Sequence, residues 1–376
     1  MPLRRRTQVL LACLALTAVS LLGLAATRRA GEPRTDPKAV GDPVKASRED
    51  PRDEAATMPD PRGRTVYPDA SCVAPVRTTE AGPTPRCVVS FGRAMTAVGI
   101  NPTGTLAITS LAHAATLGWT LPGATATLLF EPLPADAEAR AILFDDSGRE
   151  ALFAVGSELW RYDTTSGRLD GRRAGPGGVI EDLAGSRGGS RVVVVAAGRA
   201  YLLDSEGEAA RPLPTKSAAL RVAIDDGGTH AAVAAEGGDV AIFDLRSSAP
   251  PEIATPSPQP ASSIAFAGSR LLVAGSDGVL RILEARSGRE TARVAVGTAL
   301  LQLAVSRDGR RVATAGGDGA IRLHALPELR VTADLAWHRA RVAALGFGAE
   351  STLVSADNDG DLAVWDLDAS GAAANG

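Results

Sequence analysis

Between Ala336 and Asp368, apolar and polar positions alternate in three short runs. They are VAALGF (342–347), TLVS (352–355) and LAVW (362–365), separated by Gly, Asn and Asp. A period of two broken by turn residues predicts antiparallel strands joined by tight turns. Asp359-Gly360 suits a turn that needs positive φ. Such a unit leaves an apolar face uncovered and is not stable alone, so copies of it are expected. They occur at 300–326, 262–288 and 220–247, with fainter versions at 179–207, 139–167 and 95–123. Aligning the ends of the first strands gives Ile100, Phe144, Ala184, Ile224, Phe266, Val305 and Phe347, spaced 39 to 44 residues apart. That period, with about four strands per unit, predicts an all-β chain folded as a seven-bladed β-propeller.

The residues inside the repeats resemble those of the WD-repeat family. Trp365-Asp366 is the eponymous dipeptide, with weaker echoes at Phe243-Asp244 and Tyr162-Asp163. His338 falls where the family has Gly-His, although Ala336-Trp337 stands in place of the glycine. Asp359 matches the aspartate of the turn between second and third strands, as do Asp277 and Asp318 in their repeats. The resemblance spans about 280 of the 376 residues. It implies that His338, Asp359 and Trp365 form a buried hydrogen-bond network that fixes the register of the last blade. The family usually places Ser or Thr late in the second strand, and this chain has Asp357 there. The resemblance also implies that an N-terminal strand closes the ring. The last repeat stops after three strands, so Cys87-Val88-Val89-Ser90-Phe91 is expected to supply its fourth.

Ahead of the repeats the pattern changes. Arg4, Arg5 and Arg6 precede Val9–Ala26, 18 residues without a charge. The run fits either a membrane anchor, with Arg28 and Arg29 as its flank, or a signal peptide cut near Gly23 and Ala25. Cys13 faintly resembles a lipidation site. Each reading exports the remainder, because the basic N-terminus stays cytoplasmic. Residues 27–70 carry seven prolines, charges of both signs and no aromatic before Tyr67, which predicts a disordered tether. The propeller is expected over 71–368 and a disordered tail over 369–376. In an oxidising compartment Cys72 and Cys87 read as a disulfide; two unpaired thiols is the alternative.

Net charge is −3 and aromatics make up 4 %, so nothing electrostatic argues for nucleic acid. The first strands, expected to line the central channel, hold few ionisable groups: Glu181, Asp182 and Arg221. Strand alternation forbids Glu181 and Asp182 from both facing the channel. No nucleophile elbow, zinc-protease motif, phosphate loop or haem motif occurs. The Asp357–Asp361 acidic string has its glycine too early for a calcium loop, and His113, His230 and His324 lie in separate repeats. No metal or cofactor is expected.

The reading is therefore a noncatalytic, monomeric protein-binding scaffold that touches the membrane only through its N-terminal segment. The alternative is a hydrolase- or lactonase-like enzyme, or a small-ligand binder, at the channel mouth near Glu181 and Arg221. Loops between outer and inner strands are expected to carry Arg172, Arg173, Lys216, Arg339 and Arg341. The second-to-third-strand turns carry Glu236, Asp239, Asp277, Asp318 and Asp359. Trp337, Arg339 and Arg341 are the expected contact patch.

Overall fold

In the computed structural model, short runs of alternating residues become four-stranded antiparallel sheets because each hairpin has a glycine or polar turn to close it. The structure describes residues 83–368 except 93, 113–114, 122–124, 135–136, 188–189, 205–209, 248, 255–258 and 349–350, together with 58–59 and 65–66. The chain divides into two units, 1–54 and 55–376, and everything described belongs to the second. The apolar N-terminal run, most of the tether, Cys72, His113 and the C-terminal tail lie outside the described residues. No helix among the described residues is long and apolar enough to cross a membrane. Within the segment expected to be disordered, Met58–Pro59 pairs antiparallel with Thr65–Val66.

Seven four-stranded sheets follow one another. Their first strands are Met95–Ile100, Ala139–Phe144, Ile180–Gly185, Ala219–Ile224, Ala261–Ala267, Leu300–Val305 and Val342–Phe347, which define blades 1 to 7. Each first strand packs beside that of the next blade, and blade 7 returns to blade 1, so these strands form the hub. Packing there is close. A Cβ at Gly99 would lie 2.7 Å from the Ile142 side chain and 2.9 Å from the Ile142 carbonyl oxygen, so a larger residue there would have to move the neighbouring strand.

All seven hub strands share a feature that plain alternation does not predict. The ladder to the second strand skips one residue at Thr96, Arg140, Glu181, Leu220, Ser262, Leu301 and Ala343. A bulge bends the strand and increases its twist, which suits strands converging on an axis.

Apolar side chains collect between blades. Seven buried clusters each draw on two neighbouring sheets; Trp119 and Val354 share one across the blade 7–blade 1 joint. That joint holds the chain's ends together. Cys87–Ser90 pairs antiparallel with Asp361–Asp366, matching Cys87 to Val364 and Ser90 to Asp361. The pairing extends one residue each way: Arg86 N donates to Val364 O at 2.7 Å and Phe91 N to Gly360 O at 3.0 Å. The fourth strand of blade 7 thus comes from the N-terminal side, as the resemblance implied. Cys87 and Val89 face the blade 7–blade 1 cluster, while Val88 faces that between blades 6 and 7. Val89→Asp should therefore lower the unfolding free energy by about 3 kcal/mol. The same change at Val331, 45 % exposed on an outer strand, should cost under about 0.5 kcal/mol. Urea titration of both variants checks the contrast.

Candidate functional site

The polar residues singled out in the last blade do meet, with one exchange of partners. Third-strand Trp365 donates its Nε1–H to Ser355 Oγ at 2.9 Å. Ser355 lies 2.6 Å from His338 Nε2, and His338 Nδ1 lies 2.8 Å from Asp357 Oδ2. All four residues are buried. A carboxylate only accepts, so His338 must donate from Nδ1 and accept at Nε2, and Ser355 must donate to it. The chain Trp365→Ser355→His338→Asp357 then runs in one direction with every ring nitrogen satisfied.

Asp357, and not Asp359, is therefore the acid of this network. Asp359 contributes its backbone N–H to Asp357 Oδ1 at 3.0 Å, beside that of Asp361 at 2.9 Å. The hydroxyl expected late in the second strand is present as Ser355, two residues earlier than assumed. Asp357 is the last residue of that strand, paired with Val342, and the hydroxyl lies two residues inside it. Burial by itself would raise the Asp357 carboxyl. The His338 ring N–H and the two backbone N–H groups outweigh it and hold the carboxyl below its ordinary range.

Equivalent positions in other blades keep parts of this scheme. Trp119 donates to Thr109 at 2.8 Å in blade 1. In blade 6, His324 takes the tryptophan's place, 3.1 Å from Thr314 and 3.3 Å from Leu329 O, and burial lowers its pKa. Blades 5 and 6 add an ion pair from the turn to the third strand: Asp277 with Arg281 at 2.6 Å, and Asp318 with Arg322 at 3.3 Å. These groups tie turn to strand within a sheet.

At the hub two ionisable residues, Asp182 and Arg221, bridge blades. Val222 N donates to Asp182 Oδ2 at 2.8 Å, from blade 4 to blade 3. Arg221 Nε donates to Ser262 O at 2.7 Å, from blade 4 to blade 5, and its Nη1 to Leu220 O at 2.7 Å. Ser262 Oγ donates to Leu300 O at 2.6 Å in blade 6. Burial lifts the Asp182 carboxyl to about 6, against the opposing pull of the Val222 N–H and Arg221. Glu181 occupies the bulge and is exposed. The use of Asp182 and Arg221 could not be seen in the sequence, because their partners are backbone groups of neighbouring repeats.

Thr229, His230 and Asp225 superficially evoke a catalytic triad. Thr229 Oγ1 and His230 Nδ1 both reach Asp225 Oδ2, at 2.6 and 3.3 Å. A relay needs the acid and the hydroxyl on different ring nitrogens; here both sit at Nδ1, so the cluster is a turn brace. Among the described residues no group of three His, Cys, Asp or Glu side chains could hold a metal ion.

Of the expected contact patch, Arg339 and Arg341 are exposed, whereas Trp337 is half-buried against the cluster between blades 6 and 7. Arg341 O accepts from Asn358 N at 3.1 Å, which anchors the loop to the turn. Arg172 and Arg173 are not loop residues: both lie in the outer strand Leu169–Ala174 of blade 2. Arg172 stacks over Trp160, 3.7 Å from the ring centroid.

No family model matches the chain, and no curated protein matches it. Among solved structures, a chain in the crystal structure of the mitotic checkpoint complex is similar, with a TM-score of 0.68 and 17 % identity. The match covers 78 % of this chain and 97 % of that one. At that identity the likeness shows the fold, a WD40-like seven-bladed propeller.

Three substitutions separate the roles of these polar groups. Ser355→Ala leaves His338 Nε2 and Trp365 Nε1 unsatisfied and should cost about 2–3 kcal/mol. Because the folded Asp357 carboxyl titrates below its unfolded value of about 3.9, its contribution is full above that pH and lost below it. Asp357→Asn should thus destabilise at pH 7, and the difference from the native chain should shrink as pH falls below about 3.9. Asp182 has the opposite sign. Its raised folded value means the charge imposes a cost that sets in between about pH 4 and 6. Asp182→Asn should stabilise by about 1–2 kcal/mol at pH 7.5 and by nothing below pH 4. Chemical denaturation across this range reads all three.

Proposed function

We propose that the protein is a noncatalytic interaction scaffold, exported and held at the outer side of the cytoplasmic membrane by residues 9–26, or released if that segment is cleaved. The observation that carries the scaffold reading is the employment of the hub's ionisable groups. Asp182 and Arg221, the groups an enzyme would keep free for a substrate, are bonded to backbone atoms of adjacent blades. The structural likeness to a chain of the mitotic checkpoint complex supports a fold that serves in assemblies. In this reading partners are proteins, the chain is a monomer, and a net charge of −3 gives nucleic acid no electrostatic footing. Export rests on the sequence Arg4–Arg6 followed by Val9–Ala26. A disulfide between Cys72 and Cys87 follows from that compartment and would tie the tether's end to the ring-closing strand.

Arg339 and Arg341 project from the loop entering blade 7, with Trp337 half-exposed beside them, and form the proposed contact patch. Affinity capture with the native chain should return a defined protein partner. Trp337→Ala and Arg341→Glu should each reduce its recovery at least tenfold; full recovery with both substitutions removes the patch. The channel-mouth alternative stands only if a lactone, phosphate ester or glycoside is turned over by the native chain and not by Glu181→Gln.

A further inference from the structure

Blade 2 breaks a rule that the other blades keep. Its third strand, Glu158–Asp163, pairs Arg161 with Leu152, the third residue of the second strand. In the other blades the residue in that register is Gly118, Leu202, Ile242, Ile282, Leu323 or Val364, always apolar or glycine. The outer strand repeats the exception. Arg173 lies opposite Leu159, where the others place Leu213, Ala254, Val294, Leu335 and Val89, and blade 1 bonds Phe130 to Thr116. Two positions that elsewhere build the wall between blades are thus arginines, on the face of blade 2 that looks at blade 3. Leu159 on the same face enters the cluster between those blades, which is the smallest of the seven.

The result is a cleft of about 570 Å³ lined by Arg161 and Arg173, by Leu143, Leu152 and Leu159 from blade 2, and by Val192 from blade 3. Gly171, opposite Arg161, leaves the wall open: a Cβ there would meet nothing nearer than Arg161 Nη2 at 3.9 Å. Three acids edge the cleft but leave the arginines underused. Asp145 is occupied by its own turn, accepting from Ser147 and Glu150 backbone N–H groups. Glu150 stands 4.0 Å from Arg161, beyond hydrogen-bond distance, with both side chains about half exposed. Among the described residues the Arg173 guanidinium donates to the Asp204 carbonyl, at 3.3 Å.

Wall positions given over to half-exposed charges forgo the apolar burial that the other blades gain there, and such breaks of an otherwise consistent pattern concentrate at functional sites. We propose that the cleft between blades 2 and 3 docks an extended acidic segment of a partner protein, its carboxylates pairing with Arg161 and Arg173 and an apolar neighbour seated on Leu143, Leu152 and Leu159. Guanidinium groups match carboxylates bidentately, and the volume falls in the range of small binding pockets. The inference rests on the scaffold reading and narrows it to a place and a peptide chemistry.

The test is a random heptapeptide display library panned on the full chain and on the Arg161→Leu/Arg173→Val double variant, which restores residues of the kind the other blades carry. Native protein should enrich peptides with Asp or Glu beside Leu, Ile, Val or Phe, and the double variant should lose at least tenfold of that enrichment. Its melting temperature should hold or rise by about 2–4 °C. Equal enrichment on both proteins, no acidic preference, or a fall in melting temperature above about 5 °C would overturn the proposal. Peptides lost from the variant while a partner is still captured through Arg341 would leave the scaffold reading and the cleft both standing. Capture undiminished in the double variant with no acidic enrichment sinks the cleft alone. Absence of any captured partner sinks the scaffold reading itself.

Discussion

Everything in this molecule depends on a circle of sheets closing at a joint made from distant parts of the chain. Each blade has two apolar faces, and a propeller satisfies them only when every sheet has a neighbour on both sides. Opening any joint would expose a buried cluster to water, at roughly 25 cal/mol for each Å² uncovered. The joint between blades 7 and 1 is special because the strand that completes blade 7 leads directly into blade 1. Cys87, Val88 and Val89 alternate between two clusters, so four residues of ladder secure both faces of the last sheet. Closure also removes the free edge that an incomplete blade would offer to other chains.

The polar groups make sense against that constraint. Within a sheet, the chain from Trp365 to Asp357 fixes the turn relative to the strands; between sheets, Asp182, Arg221 and Ser262 bind the backbone of the next hub strand. The bulge repeated in every hub strand frees one residue from the ladder near the axis, and Ser262 uses that freedom to reach the neighbouring blade. Asp182 shows that such a joint has a cost. Its carboxyl is driven to about 6 by an environment that disfavours its charge even while Val222 and Arg221 oppose the shift.

The blade count and the order of strands were legible in the sequence, since both follow from a period near 40 residues and the period-two patterns within it; the ring-closing segment followed from the resemblance to the WD-repeat family. It placed His338 and Trp365 correctly and misassigned their acid. Asp357 and Asp359 both flank a tight turn, and deciding which one faces His338 requires knowing that Asp357 is still paired with Val342. It missed Ser355 for the same reason. The hub bonds were invisible because their acceptors and donors are main-chain groups, which carry no residue-type signal. Arg172 and Arg173 looked like loop residues because two adjacent charges interrupt the alternation by which strands are recognised. They nevertheless lie in a strand, one stacked on Trp160 and the other turned toward blade 3.

That last misreading points to a general property of repeat architectures. In a ring built from near-copies, the average repeat describes what folding requires, and departures from it fall into two kinds. Some are substitutions of one working solution for another. His324 for tryptophan in blade 6 is of this kind, since its ring nitrogens meet Thr314 and Leu329. Others leave the local chemistry unfinished, as Arg161 does with no hydrogen bond of its own among the described residues and a carboxylate held 4.0 Å away. Folding explains the first kind completely. Departures of the second kind forgo apolar burial between blades for no local hydrogen bond, so the fold alone does not account for them.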